Sequence, residues 1–245
     1  MSPTIDIVVP VYNEEEALPR SILTLTGFLQ DNLRIPWQVI IADNASNDGT
    51  RSVSEDLCRR YPGVSYLPIP QKGRGRALRA AWLGSAADIV SYMDVDLSTD
   101  LSHLPQLVDA LDRGYHIAIG SRLSKGSQVT RSFKREVTSR GYNLLIKSMF
   151  LTPFNDAQCG FKALTRQTAQ AIVPSIKNNN WFFDTELLII AAKRGYQIKS
   201  VPVRWDDDPN TTVNITQTAT EDIKGLFRLR LGGIPPVSPP SRSSH

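Results

Sequence analysis

Two aspartates one residue apart, in the stretch SYMDVDLSTD (Ser91–Asp100), raise the first chemical question. Asp94 and Asp96 follow an apolar run, Ala86-Ala87 and then Ile89-Val90. On a strand, residues i and i+2 share a face, so the two carboxylates are expected side by side, repelling one another. A shared divalent cation removes that repulsion. Carboxylate oxygens suit Mg²⁺ or Mn²⁺, and Mg²⁺ takes one or two carboxylates together with substrate phosphates. A cation bridging a diphosphate stabilises it as a leaving group. Asp-x-Asp is common by chance; its weight here comes from its place at the end of a strand.

Positive charge is concentrated elsewhere. Between Arg122 and Lys147 stand seven basic residues, Arg122, Lys125, Arg131, Lys134, Arg135, Arg140 and Lys147, against the single acid Glu136. One reading is a solvated loop and helix face. The other is an anion site, since clustered cations attract phosphates. The loop QKGRGRALR (Gln71–Arg79) is similarly rich in Gly, Lys and Arg and suits the cover of a phosphate, although it lacks Walker spacing. No G-x-G-x-x-G follows the first strand, which argues against a nicotinamide-dependent oxidoreductase.

These groups need elements to position them. Ile5–Val11 is a nearly continuous apolar run, the mark of a buried parallel strand. Val39–Ala42, Val64–Ile69, Ile89–Met93, Ile117–Gly120 and Ile198–Val203 are the further predicted strands. Helical spacing falls over Glu14–Leu29, Thr50–Tyr61, Gly75–Ser85, Leu104–Leu111, Lys134–Phe150, Thr165–Ile172 and Asp184–Arg194, the last with Asp184 as its N-cap. Alternating strands and helices predict an α/β fold with a mostly parallel sheet flanked by helices. Ligands of such sheets bind beyond the carboxyl ends of the strands. Polar groups stand at four of those ends: Tyr12-Asn13-Glu14, Asp43-Asn44, Asp94 with Asp96, and Ser121-Arg122. Asp43 is suited to hydrogen-bond a base or a ribose.

Composition narrows the class. Of 245 residues 41% are hydrophobic, enough for a full core, and the net charge of +4 is too weak to name a partner. Two cysteines without metal spacing read as buried free thiols in a reducing compartment. Three histidines make a His-rich metal site or a Ser-His-Asp triad improbable. Basic residues without interleaved aromatics argue against nucleic acid. No signal-peptide pattern and no apolar run of about 20 residues occurs. EDIKGLFRLRL (Glu221–Leu231) is an amphipathic basic helix suited either to a membrane interface or to docking on the core. The expected layout is one domain over 1–231, with 221–231 as the interfacial helix and a Pro/Ser-rich disordered tail over 232–245.

Taken in order, VVPVYNEEEAL, IADNASNDGT, KGRGRALR, MDVDLS and GSR resemble the inverting family-two glycosyltransferases of GT-A fold. KREVTSRGYNLL, NDAQCGFKALTR and WFFDTELL narrow the resemblance to the polyprenyl-phosphate hexose synthases, dolichyl-phosphate glucose and mannose synthases among them. It spans roughly residues 4 to 230. It implies a GT-A core with C-terminal helices on the acceptor side. It implies transfer of a hexose from a nucleotide-diphosphate sugar to a polyprenyl phosphate, with Mg²⁺ or Mn²⁺. A phosphate monoester has a second pKa near ~6 and is largely a dianion at neutral pH, so it needs no general base.

Carried over by motif, Asp94 and Asp96 bind metal and diphosphate, and Pro10, Tyr12, Glu14, Asp43 and Lys72 line the nucleotide pocket. Arg122, Arg135 and Ser139 hold the acceptor phosphate. Asp156, with Gln158, positions sugar or acceptor among the catalytic groups, or else serves as a turn. Ser98 stands where mannose synthases carry a Gln ligand, and the run after VPVRW (Asp206–Ile215) is acidic and then neutral where relatives place Arg or Lys. The expected donor is UDP-glucose ahead of GDP-mannose. The alternative is a soluble family-two transferase acting on a sugar hydroxyl. The expected location is the cytoplasmic face of a membrane, held by 221–231, by an anchoring partner or by a segment outside this chain.

Overall fold

The computed structural model describes residues 2–130, 133–206 and 215–240; for 133–135 and 215–217 it describes the backbone alone. The first strand, β1 (Ile5–Val11), is buried at every position. It lies between β2 (Trp37–Asp43) and β4 (Ile89–Met93), with β3 (Val64–Pro68) beyond β2, all parallel. Its apolar run is continuous because both faces are covered. Ile5, Ile7, Val9 and Val11 meet one layer, packed with α1 (Leu18–Asn32), α2 (Thr50–Arg60) and α4 (Leu104–Asp112). Val8 meets the other, packed with α3 (Arg74–Gly84), α5 (Phe133–Phe150), α6 (Arg166–Ile172), α7 (Phe182–Lys193) and α8 (Ile215–Gly232).

The sheet has seven strands in the order β3-β2-β1-β4-β7-β5-β8, where β5 is Ile117–Ser121, β7 Phe161–Thr165 and β8 Ile198–Pro202. β7 runs antiparallel between β4 and β5, whereas β8 is parallel to β5. The sequence pattern does not reveal β7, because Lys162 interrupts its apolar run. In the structure that lysine is fully buried. A second, two-stranded sheet joins β6 (Gln128–Thr130) to β9 (Arg204–Asp206), also unpredicted.

Four expectations change. Helix α1 starts at Leu18, not Glu14, with Pro19 in its first turn, where a missing N–H costs nothing. Asp184 is no N-cap: α7 begins at Phe182, and Asp184 is buried in its first turn. α8 begins at Ile215, well before Glu221. The tail from residue 233 has no regular secondary structure, but it is tied down rather than disordered as far as Ser238. Arg194 donates to the carbonyls of Ile234 and Pro235, and the Tyr196 hydroxyl donates to that of Ser238 at 2.8 Å. Residues 241–245 lie outside the described residues.

Candidate active site

The parallel strands deliver their following loops to one edge. Because β7 is antiparallel, the loop entering it, Asn155–Gly160, reaches that edge too. After β1, Asn13 turns with φ of +56°; its N–H donates to Ser46 Oγ, and its Oδ1 accepts from Asn47 N, both at 2.9 Å. Glu14 N donates to Thr50 Oγ1 at 2.8 Å, so the loops after β1 and β2 are laced together. Asp43 is buried and accepts from Ser46 N at 2.9 Å and from the Tyr66 hydroxyl at 2.8 Å. Its neighbour Asn44 has a buried Oδ1 with no partner. Lys72 Nζ lies 4.0 Å from the centre of the Tyr12 ring and bonds its hydroxyl. Pro10 is buried in β1, opposite Ala42. Thus Tyr12 meets Lys72, and the loop of Glu14 meets that of Asp43.

The geometry of Asp94 and Asp96 departs from expectation. β4 ends at Met93, and the two residues stand in a tight turn in which Leu97 N donates to Asp94 O at 3.1 Å and Leu97 takes φ of +51°. They do not share a strand face. Asp94, with a side chain 41% exposed, accepts from Arg74 Nη2 at 3.0 Å. Asp96 is exposed and accepts from Ser98 N at 3.0 Å. Gly160 makes room for this turn, since a Cβ there would stand 1.6 Å from Asp94 Oδ2. Among the described residues no group of three His, Cys, Asp or Glu side chains could hold a cation. Two hard carboxylates on an open turn fit a divalent ion that completes its shell with water and phosphate oxygens.

Behind Asp94 lies a buried charge network that sequence reading missed. Arg74 opens α3 and reaches both Asp94 and Asp184, its guanidinium 4.7 Å from the Tyr92 ring centre and 4.9 Å from that of Trp181. Asp184 also accepts from the Tyr92 hydroxyl at 2.8 Å and pairs with Lys162 at 3.2 Å. Burial pushes the Asp184 carboxyl up, but Lys162 and Arg74 outweigh it and hold it below the ordinary value. A buried carboxylate needs such partners. The available signal was charge inside two apolar segments, Lys162 in GFKALT and Asp184 with Glu186 in WFFDTELL. Partners 22 to 110 residues away could not be read from it.

On the other side of Asp94, Arg122 is clamped by Asp156. Nε donates to Oδ2 at 2.8 Å, Nη2 to Oδ1 at 2.9 Å, and the backbone N–H of Arg122 to Oδ2 at 2.9 Å. Asp156 is fully buried. Burial raises its carboxyl, but Arg122 outweighs this and holds it at about 2. Both its oxygens are committed to Arg122, with Gln158 N also donating to Oδ1 at 3.2 Å, the contact of a turn. Arg122 also lies over the Trp205 ring, 5.4 Å from its centre.

Ser139, on α5, is 9% exposed and its Oγ has no hydrogen-bond partner. Asn143, one turn on, binds Ser139 O at 2.9 Å and accepts from Ala157 N at 2.9 Å, which fixes α5 against the loop of Asp156. The side chain of Arg135 lies outside the described residues; its backbone places it one turn before Ser139. Residues 207–214, most of the acidic and neutral run after β9, also lie outside them.

Comparisons with known proteins agree with this architecture. Glucosyl-3-phosphoglycerate synthase of Mycobacterium tuberculosis, solved with Mn²⁺, UDP and phosphoglyceric acid, superposes with a TM-score of 0.69 at 19% identity, over 96% of this chain and 80% of that one. This likeness establishes the fold. Glycosyltransferase AglD of Haloferax volcanii is 32% identical over 228 residues, covering 91% of this chain and 35% of that protein. Dolichyl-phosphate beta-glucosyltransferase of Drosophila melanogaster is 31% identical over 223 residues, covering 84% of this chain and 68% of that protein. The chain thus spans about a third of one relative and two thirds of the other. The sequence profile described as Glycosyl transferase family 2 matches residues 6–173. By that match and these relatives, the chain belongs to glycosyltransferase family 2.

Proposed function

We propose that this protein transfers glucose from UDP-glucose to the phosphate of a dolichyl-type polyprenol, with inversion and with a divalent cation. The observation that carries the reading is the clamp on Arg122. Asp156, whose two oxygens are committed to Arg122, is held at about 2 and is therefore a poor base for a hydroxyl acceptor. What it does instead is present a fixed guanidinium, with the unpartnered Ser139 hydroxyl supplied by α5. That pairing suits an anionic acceptor that brings its own nucleophile.

In this reading the acceptor phosphate lies against Arg122, Ser139 and Arg135, and its oxygen attacks the anomeric carbon from the side opposite the diphosphate. Asp94 and Asp96 would hold Mg²⁺ or Mn²⁺, which neutralises charge on the departing diphosphate. Arg74 fixes Asp94. Tyr12, Lys72, Glu14 and Asp43, with Pro10 beneath, form the nucleotide end. The name of the Drosophila relative supports glucose and dolichyl phosphate, and the solved synthase supports UDP and Mn²⁺.

A membrane surface at the cytoplasmic face fits the exposed apolar side chains of α8, Ile223, Phe227 and Leu231, which alternate with Lys224 and Arg230. Leu144 and Leu151, on and just after α5, are exposed as well. No helix among the described residues is long and apolar enough to cross a membrane. Sedimentation with anionic vesicles tests this part, and equal binding by wild type and Phe227→Glu/Leu231→Glu would remove it.

The main test is transfer of labelled sugar from UDP-glucose and GDP-mannose to dolichyl phosphate in detergent, with Mn²⁺, Mg²⁺ or EDTA. Glucosyl lipid formed from UDP-glucose and abolished by EDTA is expected. Mannosyl lipid would transfer the reading to GDP-mannose. Product only on a free sugar hydroxyl would overturn the phosphate acceptor.

A further inference from the structure

One group of buried polar atoms is used neither by the fold nor by the chemistry above. Asp222 on α8 is 3% exposed. Its Oδ2 accepts from Gln158 Nε2 at 3.0 Å, while its Oδ1 makes no well-formed hydrogen bond, since the nearby Tyr142 hydroxyl donates to Thr185 Oγ1 at 3.1 Å. The preceding Glu221 accepts at Oε1 from Asn180 Nδ2 at 3.3 Å, and its buried Oε2 is likewise without a partner. Neither carboxylate makes an ion pair among the described residues. Both stand almost two turns into α8, too far along to cap its N-terminus. Burying a carboxylate oxygen without a donor is costly, so the arrangement calls for a donor from outside.

Their tethers locate them. Asn180 precedes Trp181, whose ring covers Arg74, and Arg74 holds Asp94. Gln158 follows Asp156 by two residues, and Asp156 clamps Arg122. A continuous arc therefore runs from Asp94 through Arg74, Trp181, Glu221 and Asp222 to Asp156 and Arg122. A third unpartnered atom, Ser139 Oγ, sits one turn from Tyr142 on α5, and the Tyr142 hydroxyl lies close to Asp222. In the proposed function the two ends of this arc are the diphosphate side and the acceptor side, and the transferred group passes between them.

We infer that Asp222 and Glu221, braced by Gln158 and Asn180, form the subsite that reads the hydroxyl groups of the transferred hexose. The inference rests on the glycosyl-transfer reading above. Sugar hydroxyls are donors in adjacent pairs, and a carboxylate oxygen with a vacant lone pair is their natural acceptor. A site built to bind a hydroxyl discriminates strongly against an analogue lacking it.

The test compares equilibrium binding of UDP and UDP-glucose, and of GDP and GDP-mannose, with Mn²⁺ present, to wild type, Asp222→Asn and Glu221→Gln. UDP-deoxyglucose donors lacking single hydroxyls complete the set. Wild type is expected to bind its sugar nucleotide more tightly than the free diphosphate, by about 10- to 100-fold. Each variant should lose most of that margin and retain wild-type affinity for the free diphosphate, which a misfolded variant would not. One deoxy donor should bind wild type and Asp222→Asn alike, the signature of a shared interaction. The proposal is overturned if wild type does not distinguish sugar nucleotide from free diphosphate. It is also overturned if both variants keep the full margin, or if they weaken diphosphate and sugar nucleotide equally. Because no acceptor is present, a wild type that binds UDP-glucose but makes no lipid product would defeat the proposed function and leave the subsite standing.

Discussion

Asp222 should be a liability to the fold, and the size of that liability can be worked out. Burial pushes its carboxyl up from 3.8 to about 7, with the Glu221 and Asp184 carboxylates adding to the rise and the Tyr142 hydroxyl opposing it. Between those two values the folded chain retains a proton that the unfolded chain has released. The folded state then binds more protons, so stability falls as pH rises from about 4 to about 7 and levels off above. The gap from 3.8 to about 7, at about 1.36 kcal/mol per pH unit, is about 4 kcal/mol. Asp222→Asn keeps the shape and an acceptor for Gln158 but cannot ionise. It should match wild type near pH 4 and be more stable at pH 8 by up to about 4 kcal/mol, or about 10 °C in Tm for a chain of this size. Thermal melts of both proteins across pH 4 to 8.5 measure this. Equal Tm values at pH 8, or a difference that does not change with pH, would refute the reasoning. A more stable variant that has lost its preference for sugar nucleotide would display the trade between function and stability directly.

Three further outcomes are expected. Asp156→Asn should destabilise the protein by about 3–5 kcal/mol in urea unfolding, because it leaves Arg122 buried without its partner. The wild-type contribution of this carboxyl is present above 3.8 and is lost as pH falls through about 2, opposite in sign to Asp222. Ser139→Ala should change urea stability by less than about 0.5 kcal/mol, since no internal hydrogen bond is lost, while raising KM for the lipid acceptor several-fold at unchanged UDP affinity. Gly160→Ala should displace Asp94, whose Oδ2 would stand 1.6 Å from the new Cβ; calorimetric titration of Mn²⁺ in the presence of UDP should show weakened binding, and wild-type affinity would contradict this.

Much of this was legible because it rests on local signals. The continuous run of β1 announces a strand covered on both faces, and the polar residues at the ends of β1, β2, β4 and β5 fall on one edge as the parallel topology demands. Asp94 and Asp96 stand out by spacing, but the expected strand geometry gives way to a tight turn immediately after Met93. What stayed hidden was held by distant partners. Lys162 breaks the pattern of β7 and is accounted for by Asp184, the Tyr92 hydroxyl and the carbonyl of Cys159. Asp184 looks like a cap until Arg74 and Tyr92 are placed beside it. Asp156 reads as positioning sugar or acceptor, or as a turn, and its partner Arg122, which takes both its oxygens, could not be read from its own segment. Asp222 carries no sequence signal at all, lying on a helix whose other face is basic and apolar.

The antiparallel strand inside the sheet also sets a timetable for synthesis. β4 is complete at Met93, but its outer neighbour β7 begins at Phe161, 68 residues later. At about 5–20 residues per second on the ribosome, the nascent chain shows an unpaired β4 edge for about 3–14 s. An open, apolar edge is a template for pairing between chains. A stalled or truncated product ending before Thr165 would keep that edge permanently, so premature termination in this interval should yield aggregates rather than a soluble half-protein, and chaperone engagement of nascent chains should peak there.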